Sequence, residues 1–120
     1  MGGRDAEPGP TAPLDRLTAM LATVVTLLQQ APGPESKRCL AVIDASVMAV
    51  GRAAAKLAAR PAPPDPEALS RWHHALRGSL TAIAGWAQML GVQPESAGRA
   101  VEAIERNAAT LMELLELPPD

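Results

Sequence analysis

The groups best able to do chemistry in this chain are two adjacent histidines, His73 and His74, the only histidines it has. An imidazole with one neutral ring nitrogen is a nucleophile near neutral pH, and it can take up a phosphoryl group where it is exposed. A cation beside it steadies the incoming oxygens, and Arg77, three residues after His74, can supply one from the same helical face. The other soft nucleophile, Cys39, falls in an apolar helical pattern and reads as an ordinary buried thiol. As the single cysteine it forms no intramolecular disulfide, which fits a reducing cytoplasm. No metal or cofactor is expected: adjacent helical residues point about 100° apart, whereas helical ligand pairs sit four residues apart. Ser70, Ser79 and Ser96 all lie in helical patterns, so none sits on the strand-turn-helix elbow of a serine hydrolase.

The elements that must carry these residues are marked out by proline. The twelve prolines cluster and leave long proline-free intervals that read as helices. Leu14, Leu17, Leu21, Val24 and Leu28 step by three and four and predict a helix over residues 14–30. Ser36, Leu40, Ile43, Val47, Val50, Ala54 and Leu57 predict a second over 34–60, with Pro34 in its first turn. Residues 61–66 form a stiff proline-rich linker. A third helix carries Leu69, Trp72, Leu76, Leu80, Ile83, Ala87 and Leu90, and a fourth, opened by Pro94, carries Val101, Ile104, Ala108, Leu111 and Leu115.

Four such seams predict an all-α fold, an antiparallel four-helix bundle built from two helical hairpins. The hairpins span residues 14–60 and 67–117, behind a flexible N-terminal segment, 1–13. The halves resemble one another: Leu17-Thr18-Ala19-Met20 recurs as Leu80-Thr81-Ala82-Ile83, and Pro34-Glu35-Ser36 as Pro94-Glu95-Ser96. The first hairpin has no histidine at the equivalent place, where the repeat lands on Thr11. One chain then supplies both halves of the bundle, a monomeric pseudo-dimer with one active histidine, although a homodimer through helices three and four stays open.

With Leu76 facing the core, helical geometry puts His73 about 60° and His74 about 160° from the seam. His74 is therefore exposed, and His73 flanks the core as a half-buried packing residue. Arg77, Gly78, Thr81, Gly85 and Gln88 share the stripe of His74. Each glycine costs a helix interior about 1 kcal/mol relative to alanine, so two on one stripe suggest close approach of a partner. An isolated exposed histidine is otherwise simply a solvated side chain.

The segment from His74 to Leu90, His-Ala-Leu-Arg-Gly-Ser-Leu-Thr-Ala-Ile-Ala-Gly-Trp-Ala-Gln-Met-Leu, resembles the H-box of the dimerisation and histidine-phosphotransfer (HisKA-like) domain of sensor histidine kinases. Ile104-Glu105-Arg106-Asn107-Ala108-Ala109-Thr110-Leu111 is similar to a run in that family's second helix. The resemblance covers residues 69–117 and implies that His74 is the phosphoacceptor. It also sets the departures in view. Ala75 stands where the family has the acidic residue that assists phosphorylation by ATP, Gly78 where it has the residue positioning water for dephosphorylation, and Ser79 where it has proline. The core His-Ala-Leu-Arg-Gly-Ser is also similar to that of free-standing histidine phosphotransfer proteins. Together these imply a phosphorelay module that exchanges phosphate with a response regulator receiver domain, a histidine kinase or both, without autokinase activity.

Length and charge agree. At 120 residues the chain has no room for a nucleotide-binding domain beside the bundle. Net charge is −2 and Lys and Arg are scattered, so nucleic acid is not an expected partner. The sequence has no membrane-length apolar run and no signal-like start, which predicts a cytoplasmic protein without membrane association. The competing function is a non-catalytic dimerisation or adaptor bundle derived from a kinase hairpin, with His74 a relic.

Overall fold

In the computed structural model, which describes residues 12–31, 33–116 and 118–119, four helices pack as a bundle: α1 Ala12–Gln30, α2 Pro34–Ala58, α3 Pro66–Val92 and α4 Ala97–Glu116. A short 3₁₀ turn, Pro94–Ser96, leads into α4. The segment 1–11, including Thr11, lies outside the described residues, as does Leu117. Residues 12 and 13, expected in the N-terminal segment, belong to α1, because the first turn of a helix needs no amide donor from Pro13. α2 stops two residues short of expectation, at a cap on Ala59. The connection then runs to Asp65, whose carboxylate accepts from the Ala68 amide at 3.1 Å and caps α3, with Pro66 and Glu67 in the first turn.

The α1–α2 turn depends on Gly33, whose φ of 98° is open only to glycine without strain. Buried Ser36 ties the turn down, donating to the carbonyls of Ala31 and Gly33 at 3.0 Å each.

The core is aliphatic. Leu14, Leu17, Leu21, Val24 and Leu28 of α1 meet Leu76, Leu80 and Ile83 of α3 and Ile104, Ala108, Leu111 and Leu115 of α4, all buried. On α2 the buried stripe is Ser36, Cys39, Ile43, Ser46, Val50, Ala53 and Leu57, while Leu40, Val47 and Ala54 are only half-buried. Large and small residues thus alternate along the buried stripe, Ile43, Val50 and Leu57 filling the core and Cys39, Ser46 and Ala53 lying between them. Buried Ser46 is accommodated by donating to the Val42 carbonyl at 3.1 Å.

Each hairpin is antiparallel, but the two lie side by side: α1 packs on α2 and α3, and α4 on α2 and α3. The start of α1 (Arg16, Leu17, Met20) borders the start of α3 (His73, Arg77), and its end (Leu27, Gln30, Ala31) borders the end of α3 (Ala87, Gly91). α1 and α3 are therefore parallel neighbours, and the linker crosses the end of the bundle from α2 to α3. This differs from a symmetric pseudo-dimer. A two-fold axis along the bundle puts equivalent helices on opposite corners, and one across it makes them antiparallel. The repeats are instead displaced sideways by about one helix spacing, roughly 10 Å. Their buried faces differ accordingly: Leu17 and Leu80 are both buried, but Met20 is half-buried where Ile83 is buried, and Leu21 is buried where Ala84 is half-buried.

Trp72 ties α3 to α4. Its indole Nε1 donates to the Leu114 carbonyl at 2.7 Å. The helical donor for that carbonyl would be residue 118, a proline with no amide hydrogen. Trp72→Phe should lower the unfolding free energy by about 1–3 kcal/mol in urea denaturation followed by circular dichroism, because the carbonyl is left without a donor. A loss under about 0.5 kcal/mol would show that water replaces the indole there at no cost.

Candidate functional site

His74 lies in the first half of α3, two residues after Trp72 and two before Leu76, both buried. With those anchors turned inward, the helical step carries His74 outward, and it is exposed. His74, Arg77, Gly78 and Thr81 line one shallow depression of about 330 Å³ on the outer face of α3. No carboxylate lines it, and Ala75 is half-buried beside it. The depression thus offers an imidazole, a guanidinium and a hydroxyl, but no base of its own.

Thr81 differs from the other four described threonines. Thr18, Thr23, Thr26 and Thr110 each spend their hydroxyl on the carbonyl four residues back, at 3.0–3.3 Å. The Thr81 hydroxyl makes no such bond, and the residue is exposed two turns along α3 from His74.

Gly85 and Gln88 are exposed and continue the stripe, but they do not line the depression. Gln88 lies about 21 Å along the helix from His74. There it borders a separate cleft with Leu27, Gln30, Ala31 and Val92. The six stripe residues therefore divide into a chemical group of four and an extension of two.

Compared with family models, with curated proteins and with solved structures, the chain matches none. Its function must be read from its own residues.

A Cβ added at Gly78 or Gly85 would meet nothing within 4 Å, so no packing inside the chain calls for glycine at either position. Gly51 and Gly98, on α2 and α4, are equally open. What sets the first two apart is their place on the face of His74.

His73 faces the other way. It is half-buried in a cleft between α1 and α3, with Arg16, Leu17, Met20 and Arg77, and its Nε2 is buried without a hydrogen-bond partner. Arg77 thus borders both the His74 depression and this cleft. Arg16 carries no signal in the sequence that would link it to His73, because helical periodicity does not say which helices become parallel neighbours.

Cys39 is fully buried, and burial, with Glu105 and Glu35 nearby, pushes its thiol above the ordinary range against the opposing pull of Arg38. A thiol held protonated is a poor nucleophile. Arg38 and Glu105 themselves form a two-pronged ion pair between α2 and α4, both contacts 3.0 Å. Among the described residues no cluster of His, Cys, Asp and Glu is placed to hold a metal ion, and no helix is long and apolar enough to cross a membrane.

Gly78→Ala and Gly85→Ala should each raise the unfolding free energy by about 0.5–1 kcal/mol, seen as a melting point higher by a few degrees. Either substitution proving destabilising would reveal a neighbour within the folded chain and remove the case for a partner.

Proposed function

We propose that the chain is a histidine phosphotransfer module of a two-component phosphorelay, carrying the phosphoryl group on His74 and depending on other proteins for ATP chemistry. The observation that carries this reading is the grouping of His74, Arg77, Gly78 and Thr81 in one open depression without a carboxylate. The resemblance of residues 69–117 to the HisKA-like hairpin supports it.

In the step proposed, a ring nitrogen of neutral His74 attacks the phosphorus of a receiver domain's aspartyl phosphate. The new N–P bond forms as the acyl O–P bond breaks, and the pair from that bond leaves on the aspartate carboxylate. The ring's other nitrogen keeps its proton or yields it to water. Arg77 meets the charge on the phosphoryl oxygens, and Thr81, two turns along α3, offers its hydroxyl to the docked partner. Gly78 and Gly85 keep the surface low enough for a receiver's shallow pocket to close over the imidazole. Missing the carboxylate at Ala75, the module would not take phosphate from ATP directly. A histidine kinase of the same cell is the other partner that this chemistry admits.

Incubated with a phosphorylated receiver domain or active kinase from its own cell, the protein should gain one acid-labile, base-stable phosphate, and with labelled ATP alone it should gain none. His74→Gln should abolish uptake at nearly unchanged stability, His73→Gln should preserve it, and Gly78→Leu should block it with the fold intact. Uptake by His74→Gln, or no exchange with a full panel of receivers and kinases, would leave the adaptor bundle as the function.

Because both hairpins close on one core, the module should also be a monomer near 12.5 kDa by light scattering behind size exclusion. A stable dimer would show that an outer face, not the shared core, sets its assembly.

A further inference from the structure

The cleft between the N-terminal halves of α1 and α3 is not explained by phosphotransfer on His74. Its walls are Arg16, Leu17 and Met20 from α1 and His73 and Arg77 from α3. Two arginines line it, no acidic residue does, and neither arginine forms an ion pair or a side-chain hydrogen bond among the described residues. Two like charges brought to one cleft by separate helices repel, and arginine cannot relieve this by losing its proton.

The imidazole beside them has a buried Nε2 with no partner. A buried polar atom left unpaired is unfavourable, and such atoms in folded proteins call for an explanation. An oxygen-rich anion answers the first need directly, and it answers the second when the ring turns Nε2, shut off from solvent here, toward the cleft. The cleft holds about 280 Å³, just below the range of sites for drug-sized ligands, which suits a small ion.

We propose that this cleft binds a small tetrahedral oxyanion of the phosphate or sulfate type, held by Arg16 and Arg77 with His73 as the third donor. Arg77 also borders the His74 depression, and a guanidinium turned into the cleft to hold an anion there is turned away from that depression. An occupied cleft therefore withdraws Arg77 from the phosphoryl group, so that free anion slows transfer to His74. This second part rests on the function proposed above; the binding site itself does not.

The test uses the full chain and inorganic phosphate, followed by NMR of the histidine rings and arginine side chains at constant ionic strength set with chloride. Phosphate should shift the His73, Arg16 and Arg77 signals saturably, sulfate should compete, and chloride should not. Arg16→Gln should weaken binding about tenfold or more, with Arg16→Lys recovering part of it. His74→Gln should bind as the native protein does. Shifts that never saturate, that survive Arg16→Gln unchanged, or that vanish in His74→Gln would overturn the site.

With the site established, saturating phosphate should slow transfer to His74 in the native protein, and the slowing should disappear in Arg16→Gln. Full-rate transfer at saturating phosphate would overturn the sharing of Arg77. Saturable binding in a protein that accepts phosphate from no partner would leave the cleft standing and count only against phosphotransfer.

Discussion

One directional contact joins the buried seam that orients the candidate residues of α3 to α4: the hydrogen bond from the Trp72 indole to the Leu114 carbonyl. A bundle core made of Leu, Ile, Val and Ala tolerates sliding and rotation, because aliphatic contacts have no direction. A buried indole N–H does have one. By supplying a donor to a carbonyl that Pro118 cannot serve, it fixes the rotation of α3 about its own axis and its height against α4. The directions in which the next two residues leave the helix follow from that rotation. His73 turns into the cleft beside α1, and His74, a further 100° or so around, turns to solvent. The end of α4 gains a second tie from Arg60, which donates to the Pro118 carbonyl at 2.9 Å.

The two hairpins obey different rules inside and between themselves. Within each, neighbours in sequence are neighbours in space and run antiparallel. Between them, α1 runs beside α3 and α2 beside α4 in the same direction. The Arg38–Glu105 pair, bridging the first halves of α2 and α4, belongs to this second set. It is largely exposed and contributes on the order of 0.2–1 kcal/mol, so it selects alignment more than it holds the halves together. The cohesion comes from the aliphatic seams.

Much of this was legible in the residues. The proline clusters mark the helix ends to within a few positions, and the three-four steps of α1, α3 and α4 name side chains that are buried, except Leu69 at the start of α3, which is half-buried. The exposure of His74 and the half-burial of His73 follow from the same geometry. On α2 the steps place Ser36, Ile43, Val50 and Leu57 correctly but miss by one residue at Leu40, Val47 and Ala54, where Cys39, Ser46 and Ala53 are the buried neighbours. The side-by-side packing of the hairpins was not legible either. Periodicity records which face of a helix is buried but not which neighbour buries it, so the meeting of Arg16 with His73 and Arg77 emerges only in three dimensions.

The linker that carries the chain diagonally across the bundle's end has a consequence for the order of events in folding. Contacts within a hairpin close shorter loops, whereas those joining α1 to α3 or α2 to α4 link residues about half the chain apart and close longer ones. Each hairpin can thus assemble early, but alone it leaves its apolar seam facing water. Docking of one preformed hairpin on the other is then the slow, committing event. Because Arg16 and His73 sit on opposite sides of that seam, their cleft exists only while the two hairpins are docked and is lost when the halves separate.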